Sequence, residues 1–291
     1  MTFSQKINIF SGGLIVAILF GGFLFLQREK DNRRPALLFR PEIEITIIPG
    51  WNLKQIAENL VQKNIVSTTV EFYQYAGYPV SERARVAADR PLNFLSVARL
   101  STSSNYGLVL DKPPTASFEG YFFPDTYRIY ADATVPEVIQ KVFGNLEKKI
   151  NAETRISLTK QKKNLFNILI LASLVEKEAR TSEDMKMVAD ILIRRQKIGW
   201  ALQLCSSVNY VTGKSDFAVT GKDKKVDSPY NTYQNADWPP GPISNPGLAA
   251  IQAAISLTPN DYWYFMTGND GVMRYAKTLE EHNVNVARYL R

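Results

Sequence analysis

The chain is poor in the residues on which metal and redox chemistry most often depends. Among 291 residues it has 1 cysteine, Cys205, and 1 histidine, His282. A single cysteine excludes an internal disulfide framework and a cysteine-cluster zinc site. A single histidine excludes a His-rich metal centre and any mechanism built on paired imidazoles. There is no GxxxxGK[ST] phosphate loop, no GxGxxG after a strand, no HExxH and no GxSxG. No metal and no organic cofactor is therefore expected. With 45% hydrophobic and 22% charged residues the chain is ordinary globular material rather than a disordered polymer. Its 35 Lys+Arg against 28 Asp+Glu give a net charge of +7, which suits an anionic partner.

The first positive feature is the run from Ile7 to Leu26, INIFSGGLIVAILFGGFLFL, which carries no charge. About 20 apolar residues at ~1.5 Å rise cross a bilayer core of roughly 30 Å. A cleaved signal peptide is the rival reading, but Gln27-Arg28-Glu29-Lys30 follows instead of a small-residue cleavage site. Residues 1–27 are read as a tail and transmembrane anchor, and 28–41 as a basic juxtamembrane linker. Lys6 precedes the run while Arg28, Lys30, Arg33 and Arg34 follow it, so the positive-inside rule by itself favours a cytoplasmic body.

Beyond the linker the patterning is α+β. Glu42 to Ile48 reads as a strand and Pro49-Gly50 as a turn. Asn52 caps a helix over Leu53 to Lys63, and Ser67 or Thr68 caps a second through Tyr75. Ser81 to Ser104 is helical in part, and Phe118 to Tyr127 is an aromatic stretch with turn signals. Helices are expected over Val135–Asn151, Leu158–Arg180 and Ser182–Arg195, with Gln203–Gly213 helical or irregular. Lys214 to Pro246 is a long loop, Leu248–Ser256 a helix, Tyr262–Met266 and Val272–Tyr275 a strand pair, and His282–Leu290 a closing helix. A loop of that length in a compact domain is usually functional.

Glu176 is the principal chemical candidate. Leu165, Ile168, Leu169, Ala172, Val175 and Ala179 form one helical face, and Glu176 falls inside it. A carboxyl on an apolar face has its charged form disfavoured, which suits a general acid. The alternative is a solvated face-edge residue paired with Arg180 at i+4. Glu178, about 200° around the helix, reads as a surface carboxylate. Glu119 beside a turn glycine, and Asp125, Asp223, Asp227 and Asp237, read as structural. The lysine clusters at Lys148-Lys149 and Lys160 to Lys163 read as solvated helix faces, so no nucleic-acid partner is expected.

Several stretches resemble, in order, the YceG-like family of membrane-anchored endolytic murein transglycosylases. These are EGYFFPDTY at Glu119–Tyr127, LASLVEKEA at Leu171–Ala179, SPYNTY at Ser228–Tyr233, WPPGPI at Trp238–Ile243, NPG at Asn245–Gly247, and the ending DYWYF with Lys277-Thr278-Leu279 and His282-Asn283. The resemblance implies that Glu176 is the catalytic acid and that Gln203, Tyr230, Asn231, Thr232 and Glu119 bind substrate. It also implies a small LysM-like module with its connector over 42–115, and a larger helix-rich catalytic domain with a short sheet over 116–291. The implied reaction is nonhydrolytic cleavage of the MurNAc–GlcNAc β-1,4 bond within nascent glycan strands, which leaves 1,6-anhydro ends and limits strand length. Implied partners are peptidoglycan strands, the bilayer through residues 7–26, and peptidoglycan synthases as candidates. Such a substrate places the domain on the outer face of the cell membrane, since long domains translocate largely regardless of flanking charge. One segment departs from the pattern: Leu202-Gln203-Leu204-Cys205-Ser206-Ser207 stands where the family has LQTDPT, keeping the glutamine and losing the Asp-Pro pair. A noncatalytic peptidoglycan-binding scaffold is the alternative reading.

Overall fold

The computed structural model describes residues 40–82, 112–214 and 219–290. The apolar run at 7–26, the linker up to residue 39 and most of the stretch from Ser81 to Ser104 lie outside the described residues. No helix among the described residues is long and apolar enough to cross a membrane.

Strand β1 (Glu42–Ile47) turns Ile45 and Ile47 into the core while Glu42, Glu44 and Thr46 face out, the period-2 alternation of a half-buried strand. Asn52 then starts α1 (Leu53–Gln62) with a reciprocal capping box, its side chain accepting from Gln55 N and the Gln55 side chain accepting from Asn52 N. Thr68 caps α2 (Thr69–Ala76). Strand β2 (Asp125–Tyr130) pairs antiparallel with β1, Ile45 opposite Tyr127 and Ile43 opposite Ile129. The sequence shows that aromatic stretch only as a turn region. The strand forms because Tyr127 and Ile129 alternate onto the core face, and because β1 needs a hydrogen-bonding partner. The strand that completes β1 therefore comes from 125–130, beyond the boundary at 115 drawn from the sequence.

Helix α3 (Val135–Lys149) follows with Pro136 in its first turn and a Val138–Ile139–Val142–Phe143–Leu146 inner face. Where one helix over Leu158–Arg180 is expected, the chain makes two, α4 (Ala152–Lys160) and α5 (Leu165–Glu178). Lys162 adopts φ 52°, and the Asn164 side chain accepts from Asn167 N, so a polar cap restarts the helix. Every residue of α5 from Ile168 to Val175 is buried, so α5 runs through the centre of the core. Around it lie α6 (Ser182–Lys197), α7 (Cys205–Thr212) and α8 (Leu248–Ile255), with α8 packed against both α5 and α6. A hairpin of β3 (Tyr264–Thr267) and β4 (Met273–Ala276) and then α9 (Leu279–Tyr289) complete the fold. The result is a helix-rich α+β unit with two small antiparallel sheets among the described residues.

Three distant segments meet at Asn245. Its side-chain oxygen accepts from Phe122 N at 2.9 Å, and its amide nitrogen donates to Trp51 O at 3.0 Å and to Glu119 Oε1 at 2.9 Å. Its backbone N–H donates to Trp51 O, and its carbonyl accepts from Gly50 N. Glu119, 1% exposed, also accepts from Leu53 N, the first residue of α1, and from the Tyr210 hydroxyl. Burial pushes its pKa up to about 8 against the pull of these donors. Protonation on Oε2 reverses the Tyr210 bond and leaves Oε1 to accept from Leu53 and Asn245. Next to it Gly120 sits at φ +88°, and a β-carbon there would stand 2.7 Å from Pro242 Cγ, so only glycine allows this approach.

Asn245→Ala is expected to destabilise the fold by about 3 kcal/mol in urea denaturation, since it leaves buried donors and acceptors unmet. Glu119 has a raised folded-state pKa, so its stabilising contribution is complete below the unfolded value near ~4.3 and is lost as pH rises through about 8. The thermal midpoint is therefore expected to fall over that window. Glu119→Gln, which keeps the acceptor and supplies a neutral donor to Tyr210, should flatten the fall.

Candidate functional site

Helix α5 ends at Glu178 because Ala179 takes an extended conformation, φ −130°. Arg180 thus lies past the helix, and the i+4 pair with Glu176 does not form. Instead Glu176 is half-buried, and its Oε2 accepts from Gly247 N at 2.9 Å. Gly247 is the N-cap of α8, so the carboxyl lies between the C-terminal turn of one helix and the N-terminus of another. Burial raises its pKa, while the Gly247 N–H and the neighbouring Lys177 pull it down. The other oxygen, Oε1, has no hydrogen bond among the described residues and is available to carry a proton to a ligand.

The proline-rich loop is docked onto α5 through Ser173: Ile243 N donates to its Oγ at 3.0 Å and Ser244 Oγ donates to its carbonyl at 3.1 Å. This docking delivers Gly247 to Glu176. The Pro49-Gly50 turn covers the same spot from the other side, held by the backbone exchange between Gly50, Trp51 and Asn245.

On the other flank of that turn opens a cavity of about 470 Å³ between α1, α5 and α7. Lys54, Lys177, Glu178, Cys205 and Ser206 are in its wall. Glu178 is therefore not a surface carboxylate, as its position around the helix suggests. Its Oε1 accepts from Ser206 Oγ at 2.6 Å, and burial raises its pKa. Glu178 thus sits against the first turn of α7, whose N-cap, Leu204, offers no side-chain acceptor of its own. Helical periodicity alone misses this, because the partner arrives from 28 residues away.

The remaining residues expected to bind substrate are placed unevenly. Gln203 is exposed, at φ 57°, its backbone N–H donating to Thr232 O. Asn231 is fully buried, and its amide donates to the carbonyls of Lys224 and Val226, so it shapes the loop instead of meeting a ligand. Thr232, 1% exposed, accepts from Leu204 N and pairs with Ser207 Oγ. Tyr230 is buried against Tyr210, ring centroids 5.4 Å apart. Glu119 is the internal anchor described above. As the chain is folded here, Asn231, Thr232, Tyr230 and Glu119 are buried and bonded within the fold; the sequence pattern marks their place but not their burial. The residues at the surface of the site are Glu176, Lys177, Glu178 and Gly247. No group of three or more His, Cys, Asp or Glu side chains among the described residues is placed to hold a metal ion.

The sequence pattern of the YceG-like family matches residues 20–288. The endolytic murein transglycosylase of Bacillus subtilis (strain 168) is 34% identical over 183 residues, spanning 62% of this chain and 51% of that protein. The endolytic murein transglycosylase of Streptococcus pneumoniae serotype 2 (strain D39) is 32% identical over 258 residues, 84% of this chain and 44% of that protein. The chain thus spans about half the length of the curated relatives it matches. A crystal structure of a YceG-like protein from Listeria monocytogenes superposes with a TM-score of 0.69 at 31% identity, over 83% of this chain and 75% of that one. With the family pattern running from residue 20 to residue 288, the chain belongs to the YceG-like family.

Proposed function

We propose that this protein is an endolytic lytic transglycosylase that cleaves the MurNAc–GlcNAc β-1,4 bond inside peptidoglycan strands. The observation that carries the reading is the Glu176 carboxyl, half-dry, fixed through Oε2 by Gly247 and open at Oε1. In the proposed step Oε1–H protonates the leaving glycosidic oxygen as the bond to C1 breaks. The resulting carboxylate then takes the proton from the muramoyl 6-hydroxyl, whose oxygen bonds to C1 and closes a 1,6-anhydro ring. The sugar supplies its own nucleophile, so one carboxyl suffices where hydrolysing glycosidases use two. The Gly247 N–H stabilises the carboxylate between the two proton transfers.

The same reading takes the run at 7–26 as a membrane anchor and places residues 42–291 on the outer side of the cell membrane, where the substrate lies. Strand β1, helices α1 and α2 and the pairing of β1 with β2, all among the described residues, support a LysM-like glycan-holding module. Peptidoglycan synthases, which make the nascent strands, are the proposed neighbours.

Glu176→Gln is expected to lower formation of anhydro-ended products at least a hundredfold, read by mass spectrometry of digested strands, with the thermal midpoint shifted by only about 2 °C. Purely hydrolysed, reducing ends from the unaltered protein would sink the mechanism. Because Glu176 must start protonated and its pKa is raised, kcat should fall as pH climbs through a value above the ordinary carboxylate range. Lys177→Gln removes a charge that lowers that pKa and should move the fall to higher pH.

A further inference from the structure

We infer that the cavity beside Glu178 is a subsite for an anionic peptide arm carried by the glycan, which rests on the cleavage activity proposed above. Gly50 separates it from the catalytic carboxyl by a single residue. A β-carbon there would stand 3.6 Å from Glu176 Cγ and 3.5 Å from Lys177 Cδ. A muramoyl unit seated at Glu176 therefore has the cavity mouth beside it. Muramic acid carries its peptide on the lactyl ether, and such an arm presents carboxylates and an ammonium group.

The wall carries charge of both signs, which suits such an arm. A disaccharide without an arm uses amides, hydroxyls and aromatic faces, and Asn52, Gln55, Asn209 and Tyr210 supply those here; Lys54, Lys177, Lys214, Glu58 and Glu178 add the charge that a neutral sugar alone does not call for. Three of these are committed internally: Lys54 to Glu82 at 3.2 Å, Lys214 to Asp223 at 2.8 Å and Glu178 to Ser206 at 2.6 Å. Lys177 Nζ donates to the neutral Gly50 carbonyl at a long 3.3 Å, feels the flanking Glu176 and Glu178 at a distance, and forms no direct ion pair among the described residues. Lys177 is thus the cation left to receive a ligand carboxylate, and exposed Glu58 the anion left to face an ammonium. The chain's 1 cysteine, Cys205, lies in the same wall and reports on occupancy.

Two measurements on the full chain test this. Strands bearing peptide arms are compared with the same strands stripped by an amidase. The KM is expected to be about tenfold lower with arms present, as one charge-assisted contact implies. Lys177→Gln should bring the ratio of the two KM values close to one, and Lys177→Arg should restore most of it; using the ratio cancels any change in Glu176 acidity. A wild-type ratio of one, or a ratio untouched by Lys177→Gln, overturns the assignment. Second, iodoacetamide alkylation of Cys205 is followed by mass spectrometry with the soluble disaccharide tetrapeptide or the peptide-free disaccharide. Protection by the peptide-bearing compound alone is expected; equal protection by both, or by neither, overturns it. Alkylation needs no turnover. A chain that cleaves neither strand yet shows selective protection would lose its proposed activity and keep this subsite.

Discussion

The amide of Asn245 and the carboxyl of Glu119 form the contact on which the rest of this structure depends. A helix start leaves backbone N–H groups without partners. In α1 the capping box of Asn52 and Gln55 satisfies some of them, and Glu119, 66 residues further along the chain, satisfies Leu53 N. Asn245 fixes that carboxyl and also ties down the Trp51 carbonyl and the Phe122 N–H. The Pro49-Gly50 turn is thereby held over the end of α5. The catalytic candidate and the cavity beside it both take their shape from that turn, so a network that meets no ligand itself governs what a ligand meets.

Two helix ends act on Glu176 in opposite senses, and burial sets its acidity. It sits in the last turn of α5, where the negative end of the helix dipole disfavours another negative charge, and it accepts from the N-cap of α8, where the positive end favours one. Each such effect is worth about 0.3–1 kcal/mol, less than one pKa unit, so the two nearly cancel and burial decides the direction. A group that must give a proton and then take one benefits from this balance. Full burial would hold the proton too firmly, and an ion pair with an arginine would release it too early.

The departure at Cys205-Ser206 has a structural account. Where the resembled segment carries an Asp-Pro pair, this chain places a hydroxyl that donates to Glu178 and a thiol 3.2 Å from the Tyr233 hydroxyl. No aspartate lies next to Glu178 on that segment to add a second negative charge. One carboxyl then accepts from the first turn of α7 and forms part of the cavity wall, and Lys177 remains the cation of the group without an ion pair.

Much of the fold is legible in local pattern. Helix caps at Asn52 and Thr68, the apolar stripes of α3 and α5, and the β3–β4 hairpin all rest on interactions between near neighbours, which a linear reading captures; the closing helix, expected from His282, starts at Leu279 behind its Thr278 cap. The placing of Glu176 on the apolar face of a helix is of the same kind. Strand β2 and the burial of Asn231 and Thr232 are not: each depends on a partner dozens of residues distant or on which face the core claims. Glu178 shows the limit most plainly. Periodicity turns it outward, and only the arrival of α7 half-buries it in the cavity wall. The sequence by itself determined most of the helices, the charge and the place of a carboxyl on a greasy face. Tertiary structure decided which carboxyls are desolvated and which lysine forms no direct ion pair, because desolvation and pairing are properties of surfaces brought together in space.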